Sequence, residues 1–284
     1  MHRVRGFTLV ELVVVIVLSA IVISFMAMFI AGPVRGYTDQ VRRAELVDLA
    51  ENSLQRIALD IRNALPNSIR ITVSGSVVAV EMINTVDGVR YREQPPPDAD
   101  RRLDFSVADN AFNSVGTFTG ISKPFSSTSH YLSIYNVGVP GANAYELANV
   151  ITPPGTRIDI DSDTISGEDN VTISPPFRFA YGSPAQRVFL VDGPLSYLCD
   201  TGTGTLSRYS GYSIAASQSG RDSAAELVAA GAGETLVTNR VSSCNMTYAP
   251  GTSQRAGLVT LQISISDSGE TISLLHQVHV NNVP

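Results

Sequence analysis

From Leu12 to Ala31 the chain runs twenty residues without a charge, and thirteen of them are Leu, Ile, Val or Phe. Each of those favours insertion at the centre of a membrane helix by roughly 0.3 to 0.6 kcal/mol, about 4 to 8 kcal/mol together. Length and energy both predict a membrane-spanning helix. Gly32, Pro33 and Gly36 then predict a bend or break. Beyond them Tyr37, Val41, Ala44, Val47, Ala50, Leu54, Ile57, Ile61 and Ala64 recur at steps of three and four. That spacing predicts a second helical stretch with one apolar stripe, closed by Pro66. If both stretches are helical, residues 7–65 would run about 88 Å. The stripe reads as the face that packs on an attached domain, with Arg42, Arg43, Glu45, Asp48, Glu51 and Arg56 on its polar side.

From Asn67 onward Ser, Thr, Gly, Asn and Pro alternate with short β-branched runs, which predicts a β-rich head over residues 67–284. Ser68 to Ser74 and Ser76 to Ile83 read as two strands joined at Gly75. His130 to Val137, Arg187 to Asp192 and Leu195 to Cys199 are further candidates. The clearest pair is Val259, Leu261, Ile263 and Ile265 against Ile272, Leu274, His276, Val278 and Val280. A turn at Ser266 to Gly269 separates them, so this is a hairpin with one buried face. Ser223 to Ala230 reads as a short helix ended by Gly231 and Gly233. Neither a repeat nor a linker divides the head.

Arg3 and Arg5 precede the long apolar run. Arg35, Arg42 and Arg43 weaken the bias, but a very short charged amino terminus stays in the cytoplasm, placing the bulk of the chain outside the inner membrane. A cleavable secretory signal fits poorly, because the run is longer than the usual apolar core. A cut after Ala31 would also put Phe29 where a small residue is expected. A plain anchor fits poorly too, since Glu11 costs insertion energy at the mouth of the helix.

Gly6 followed by Phe7-Thr8-Leu9-Val10-Glu11 and a long apolar helix resembles the class III signal of type IV prepilins and type II secretion pseudopilins. The resemblance implies cleavage by a prepilin peptidase between Gly6 and Phe7, followed by methylation of the new Phe7 amine. It implies that Glu11 offsets the positively charged amino terminus of a neighbouring subunit. A paired carboxylate is tolerated in a dry bundle where an unpaired one is costly. It also implies an α+β pilin fold, in which a long helix packs against an antiparallel sheet. The expected layout is a leader at 1–6, a transmembrane half-helix at 7–32, an amphipathic half at 33–66 and the head at 67–284.

Three stretches resemble a subgroup, the MshO-like minor pilins of the mannose-sensitive haemagglutinin (MSHA) system, related to J-type minor pseudopilins. They are Ile57 to Arg70, Val191 to Asp200 and Leu274 to Pro284, with residues 84–185 unmatched. Ala20 and Met28 stand where many major pilins bend at Gly and Pro, which would move the bend to Gly32-Pro33. The partners implied are other minor and major pilins, the prepilin peptidase and the inner-membrane assembly platform. The implied course runs from an inner-membrane precursor with a periplasmic head to a pilus, near its tip.

The chain has two cysteines. In an oxidising periplasm Cys199 and Cys244 would form a disulfide closing a loop of about 46 residues, contributing on the order of 4 kcal/mol as an upper figure. Two separate buried thiols are the alternative. His2 is in the leader, and His130, His276 and His279 show no metal spacing. His276 is expected to be a hydrogen-bonded core residue. No nucleophile with a base, phosphate loop or paired-acid signature is present, so neither an enzyme nor a cofactor is expected. Asp159, Asp161 and Asp163, with Glu168 and Asp169, have the start of a calcium loop. However, Thr164 replaces the turn glycine and Asn170 the bidentate glutamate. A strand with Ile158 and Ile160 inward, then a polar turn, explains the pattern as well. Pro95 to Pro97, within the charged stretch Arg90 to Arg102, is expected in an exposed loop that could dock a partner.

The net charge is −6, and removing Arg3 and Arg5 leaves 18 basic against 26 acidic residues, or −8. That disfavours nucleic acid, which needs a basic stripe. The function expected is a minor pilin that starts or caps a filament. The alternatives are a type II secretion pseudopilin, or a tip adhesin whose residues 84–185 contact an unknown surface ligand such as a glycan.

Overall fold

The computed structural model describes residues 7–94, 101–251 and 255–280. By chain contacts it divides into two compact units, Met1–Asp48 and Leu49–Pro284.

One helix, α1 (Leu9–Arg62), crosses that division without interruption. Thr8 opens it: its hydroxyl accepts from the Glu11 amide at 3.3 Å, a side-chain cap on an otherwise orphaned donor. The expected break at Gly32, Pro33 and Gly36 does not occur; Pro33 lies inside the helix. A proline forfeits one helical hydrogen bond, which an apolar helix of this length absorbs, as membrane helices commonly do. Its serines and threonines bond back to its own backbone, Ser24 to the Ala20 carbonyl at 2.8 Å and Thr38 to that of Arg35 at 2.8 Å. That removes the polar cost of a hydroxyl on an apolar helix. The helix ends at Arg62, four residues before Pro66. There the Leu65 amide donates to the Ile83 carbonyl (2.8 Å) and the Thr85 amide to that of Asn63 (3.0 Å), so the exit is fastened to the head.

The head is built from β1 (Arg70–Ser74), β2 (Val77–Tyr91), β3 (Asp109–Val115), β4 (Phe125–Ser127), β5 (Tyr131–Ser133), β6 (Arg157–Ser162), β7 (Asp169–Phe177), β8 (Arg187–Asp200), β9 (Thr205–Ser210), α2 (Ala224–Ala229), β10 (Gly233–Thr238), β11 (Val241–Ala249), β12 (Gly257–Asp267) and β13 (Glu270–Val280). A ten-stranded sheet has the order β10-β9-β8-β2-β3-β7-β6-β4, with β1 also on β2 and β5 also on β8; a second sheet is β11-β12-β13. All pairings between these strands are antiparallel. The fold is α+β: the head segment of α1, from Leu49 on, packs on these antiparallel sheets.

The expected hairpin at Gly75 is present, with Gly75 at φ +58°, which favours a residue without Cβ. Its second strand runs on to Tyr91. The carboxy-terminal hairpin and the short helix are present, the latter capped by the Ser223 hydroxyl. Two expected strands, Arg187 to Asp192 and Leu195 to Cys199, are one strand, β8. Proline in a central strand ordinarily costs a ladder bond. Opposite Pro194, however, Ile83 turns both backbone groups elsewhere, its amide to Ser68 Oγ at 3.1 Å and its carbonyl to Leu65. Nothing is lost at Pro194. The strand expected from His130 to Val137 shrinks to β5.

Burial on α1 starts at Leu46 and continues through Ala50, Leu54, Ile57 and Ile61. Tyr37, Val41 and Ala44, the first members of the expected stripe, are exposed. Steps of three fall short of a 3.6-residue turn, so a stripe counted mostly by threes winds round the helix and off the buried face. In the second sheet Val259, Leu261, Ile263 and Ile265 are fully buried on one face. Cys199 of β8 and Cys244 of β11 are joined by a disulfide, Cα atoms 6.5 Å apart, which ties the two sheets together.

Candidate functional site

The amino-terminal segment presents the chemistry that the sequence singled out. Every residue from Phe7 to Val41 is exposed. Phe7 is 78 % exposed and Phe29 84 %, in a stretch that carries about two thirds of the large exposed apolar side chains among the described residues. The helix is long and apolar enough to cross a membrane. Burying such side chains is worth about 1.5 to 3 kcal/mol each, so the segment needs an apolar surrounding other than its own fold. Gly6 lies outside the described residues; Phe7 precedes the first helical residue by two positions. Glu11 is exposed in the first turn, where the helix's positive end and the Thr8 cap favour a carboxylate. Local helix chemistry thus gives Glu11 a role within its own subunit, alongside any pairing with a neighbour.

The other expected sites resolve into structure. Asp159 and Asp161 lie on β6, alternating with the fully buried Ile158 and Ile160. Asp159 pairs with Arg157 at 3.0 Å, and bonds from Ser126 and Arg157 hold its carboxyl below the usual range. Asp163 pairs with Arg101 and accepts the Ile165 amide at 2.8 Å. Glu168 pairs with Arg92, and Asp169 with Lys123 at 2.6 Å. Asp163, Glu168 and Asp169 thus form separate ion pairs that fasten the loops before β3 and β4 to the β6–β7 hairpin, while Asp161 accepts the Ser162 amide at 2.7 Å. Among the described residues no three metal-type side chains converge on a metal position. Arg101 and Arg92, expected in an exposed loop, are half-buried partners in those pairs; Pro95 to Pro97 lie outside the described residues.

The Ser127 hydroxyl bonds His130 Nδ1 at 2.8 Å, and the His130 ring meets Phe125 edge-on. His276 departs from expectation. It lies half-buried on the inner face of β13, but its buried Nε2 has no hydrogen-bond partner among the described residues. The neighbouring cross-strand side chain, Leu261, is apolar and offers none. His279 is exposed.

Two polar networks escaped sequence reading, because their members are 11 to 148 positions apart. Asp60, near the end of α1, accepts from the Tyr197 hydroxyl at 2.6 Å and from Arg208 Nε at 2.8 Å. Burial and the Asp60 carboxylate together push the Tyr197 phenol well up. Glu81 is fully buried on β2 and meets Arg70 Nε at 2.6 Å and the Tyr212 hydroxyl at 3.1 Å. Arg70 also donates to the carbonyls of Ala215 and Ala216 and lies over the Tyr145 ring, 3.6 Å from its centre. Both networks pin the head together.

A family model described as the prokaryotic N-terminal methylation motif matches residues 1–27. No curated protein and no solved structure matches the chain. The chain thus carries a type IV pilin-type prepilin signal, and the apolar helix with that signal fits a precursor anchored in the inner membrane.

Proposed function

We propose that this protein is a minor pilin of a type IV pilus of the MSHA kind, which helps to start or cap the filament after prepilin peptidase processing. The observation that carries the reading is the pairing of a methylation signal with a helix whose first thirty-odd residues bury nothing of their own. Such a helix is served first by lipid and then by the same segment of other subunits. The large disulfide-bonded head supports a minor rather than a bulk subunit, since its size sets it apart from small shaft pilins. The protein acts by helix packing and head contact, as a building block and not as a catalyst. Its route places the head in the periplasm and then at or near the pilus tip.

Glu11 offers the test. Glu11→Ala is expected to leave the protein in the inner-membrane fraction at wild-type level and to reduce its amount in sheared, purified filaments several-fold. Deletion of the whole protein is expected to reduce filament number. Unchanged filament number in the deletion strain, with no protein in the sheared fraction, would overturn the pilus role. Recovery in a secretion filament instead would assign it to type II secretion.

A further inference from the structure

Two adjoining cavities of about 260 and 380 Å³ lie on one face of the large sheet beside the end of α1, and Arg187 and Phe189 line both. Arg62 lines the first and Arg90 the second. None of these three arginines pairs with a carboxylate among the described residues. Arg90 and Arg187 are directly opposite each other across β2 and β8. Like charges directly opposite each other destabilise the pair, and an anion bound between them would relieve that. Arg62 additionally offsets the negative end of its helix.

The one acid in the lining, Asp87, is already spent. Its two oxygens accept the amides of Gly88, Thr119 and Gly120 at 2.7, 2.6 and 2.7 Å. Three positive charges against one therefore face the cleft, in a chain whose net charge is −6. Phe189 contributes an apolar ring beside the guanidinium groups. Gly88 makes room for it, since a Cβ there would come within 2.9 Å of a ring carbon. The Thr85 hydroxyl, in the same lining, is buried without a hydrogen-bond partner among the described residues.

We propose that this cleft binds an acidic sugar: Arg90 and Arg187 hold its carboxylate or sulfate group, Arg62 holds a second, and a C–H face of a sugar ring packs on Phe189. Guanidinium forks suit oxyanions of this geometry. Taken together, the two adjoining cavities have the size of a small-molecule site. A peptide that binds as an added strand fits less well, because that mode needs a free sheet edge. Here β2 at Arg90 is paired on both sides, with Val115 of β3 and Arg187 of β8. The proposal goes beyond the filament role and does not depend on it.

The test is calorimetric titration of the full chain in neutral detergent. The probes are trigalacturonate, its methyl-esterified uncharged form, sodium sulfate and triglutamate. Trigalacturonate is expected to bind, the uncharged form to bind at least ten-fold more weakly, and the Arg90→Gln/Arg187→Gln pair to weaken binding at least ten-fold. That double variant is expected to melt no lower than the wild type, because it removes a like-charge pair. Should it fail to fold, Arg62→Gln is the second probe, with a weakening of at least three-fold. Equal binding by the variants or by the uncharged sugar would overturn the proposal. Saturation by sulfate with no response to the sugar would make the cleft an inorganic-anion site only, and tighter binding of triglutamate would make it a peptide site. Either result contradicts it.

Discussion

Helix α1 contains two regions of opposite character on one continuous backbone. Between Phe7 and Val41 every side chain is exposed, and most are large and apolar. Between Ala50 and Ile61 the apolar residues Ala50, Leu54, Ile57, Ala58 and Ile61 are 0 to 3 % exposed. Helix propensity does not distinguish the regions; their surroundings do. The second is completed inside the subunit, by a head that supplies its own core, disulfide and ion pairs. The first is left for lipid or other subunits to complete. Perturbing the head should therefore show in the unfolding of the isolated protein, whereas perturbing the first region should show only in assembly.

The largest effect is expected at the disulfide. Cys199→Ser, or reduction, should lower the unfolding free energy in neutral detergent by up to about 4 kcal/mol, because a loop of 45 residues' separation is released in the unfolded chain. Denaturant titration with and without reductant measures it. Ile61→Ala comes next. It removes a fully buried side chain of α1 and should cost about 3 kcal/mol by the same titration. Asp60→Ala should cost about 2 kcal/mol, since it strands the Tyr197 hydroxyl and the half-buried Arg208. Asp60→Asn should recover part of that loss by keeping an acceptor.

Glu81 gives a smaller effect with a defined sign. Burial raises its carboxyl above the ordinary 4.5, with Arg70 and the Tyr212 hydroxyl pulling the other way. The folded state then binds the proton more tightly than the unfolded chain. Its contribution is full below the unfolded pKa and declines as pH rises through the folded one. Stability measured from about pH 4 to pH 8 should contain this falling component, and Glu81→Gln should remove it. A profile identical in the variant would show that Glu81 is ionised in the fold at no cost. The smallest effect belongs to the other region: Val14→Ala should leave the unfolding midpoint of the head unchanged within error. A shift as large as that of Ile61→Ala would erase the contrast between the two parts of the helix.

Much of this contrast was legible in the chain. The apolar run, the hairpins at Gly75 and Ser268-Gly269, the Ser223 helix, the inward Ile158 and Ile160 and the Cys199–Cys244 pairing all follow from local patterns or simple counting. The start of the buried stripe was not, because Tyr37, Val41 and Ala44 belong to the spacing but not to the face. Strand β8 was not either, since Gly193-Pro194 reads as a stop until the Ile83 backbone is seen bonding to Ser68 and Leu65. The central ladder pairs β2 with β8 across about a hundred positions or more, and no local signal encodes it. The same distance hides the arginine cleft, where Arg187, opposite Arg90 in that ladder, also lines a cavity with Arg62. His276 kept its expected face, but no apolar pattern reports whether a ring nitrogen finds a partner.

The account rests on the amino-terminal segment being a processed assembly element, and the intact mass of the protein extracted from membranes of cells with an active prepilin peptidase tests that directly. The expected mass is that of a chain beginning at Phe7 and carrying one added methyl group. A mass that retains residues 1–6, or a Phe7 amine without the methyl group, would contradict it.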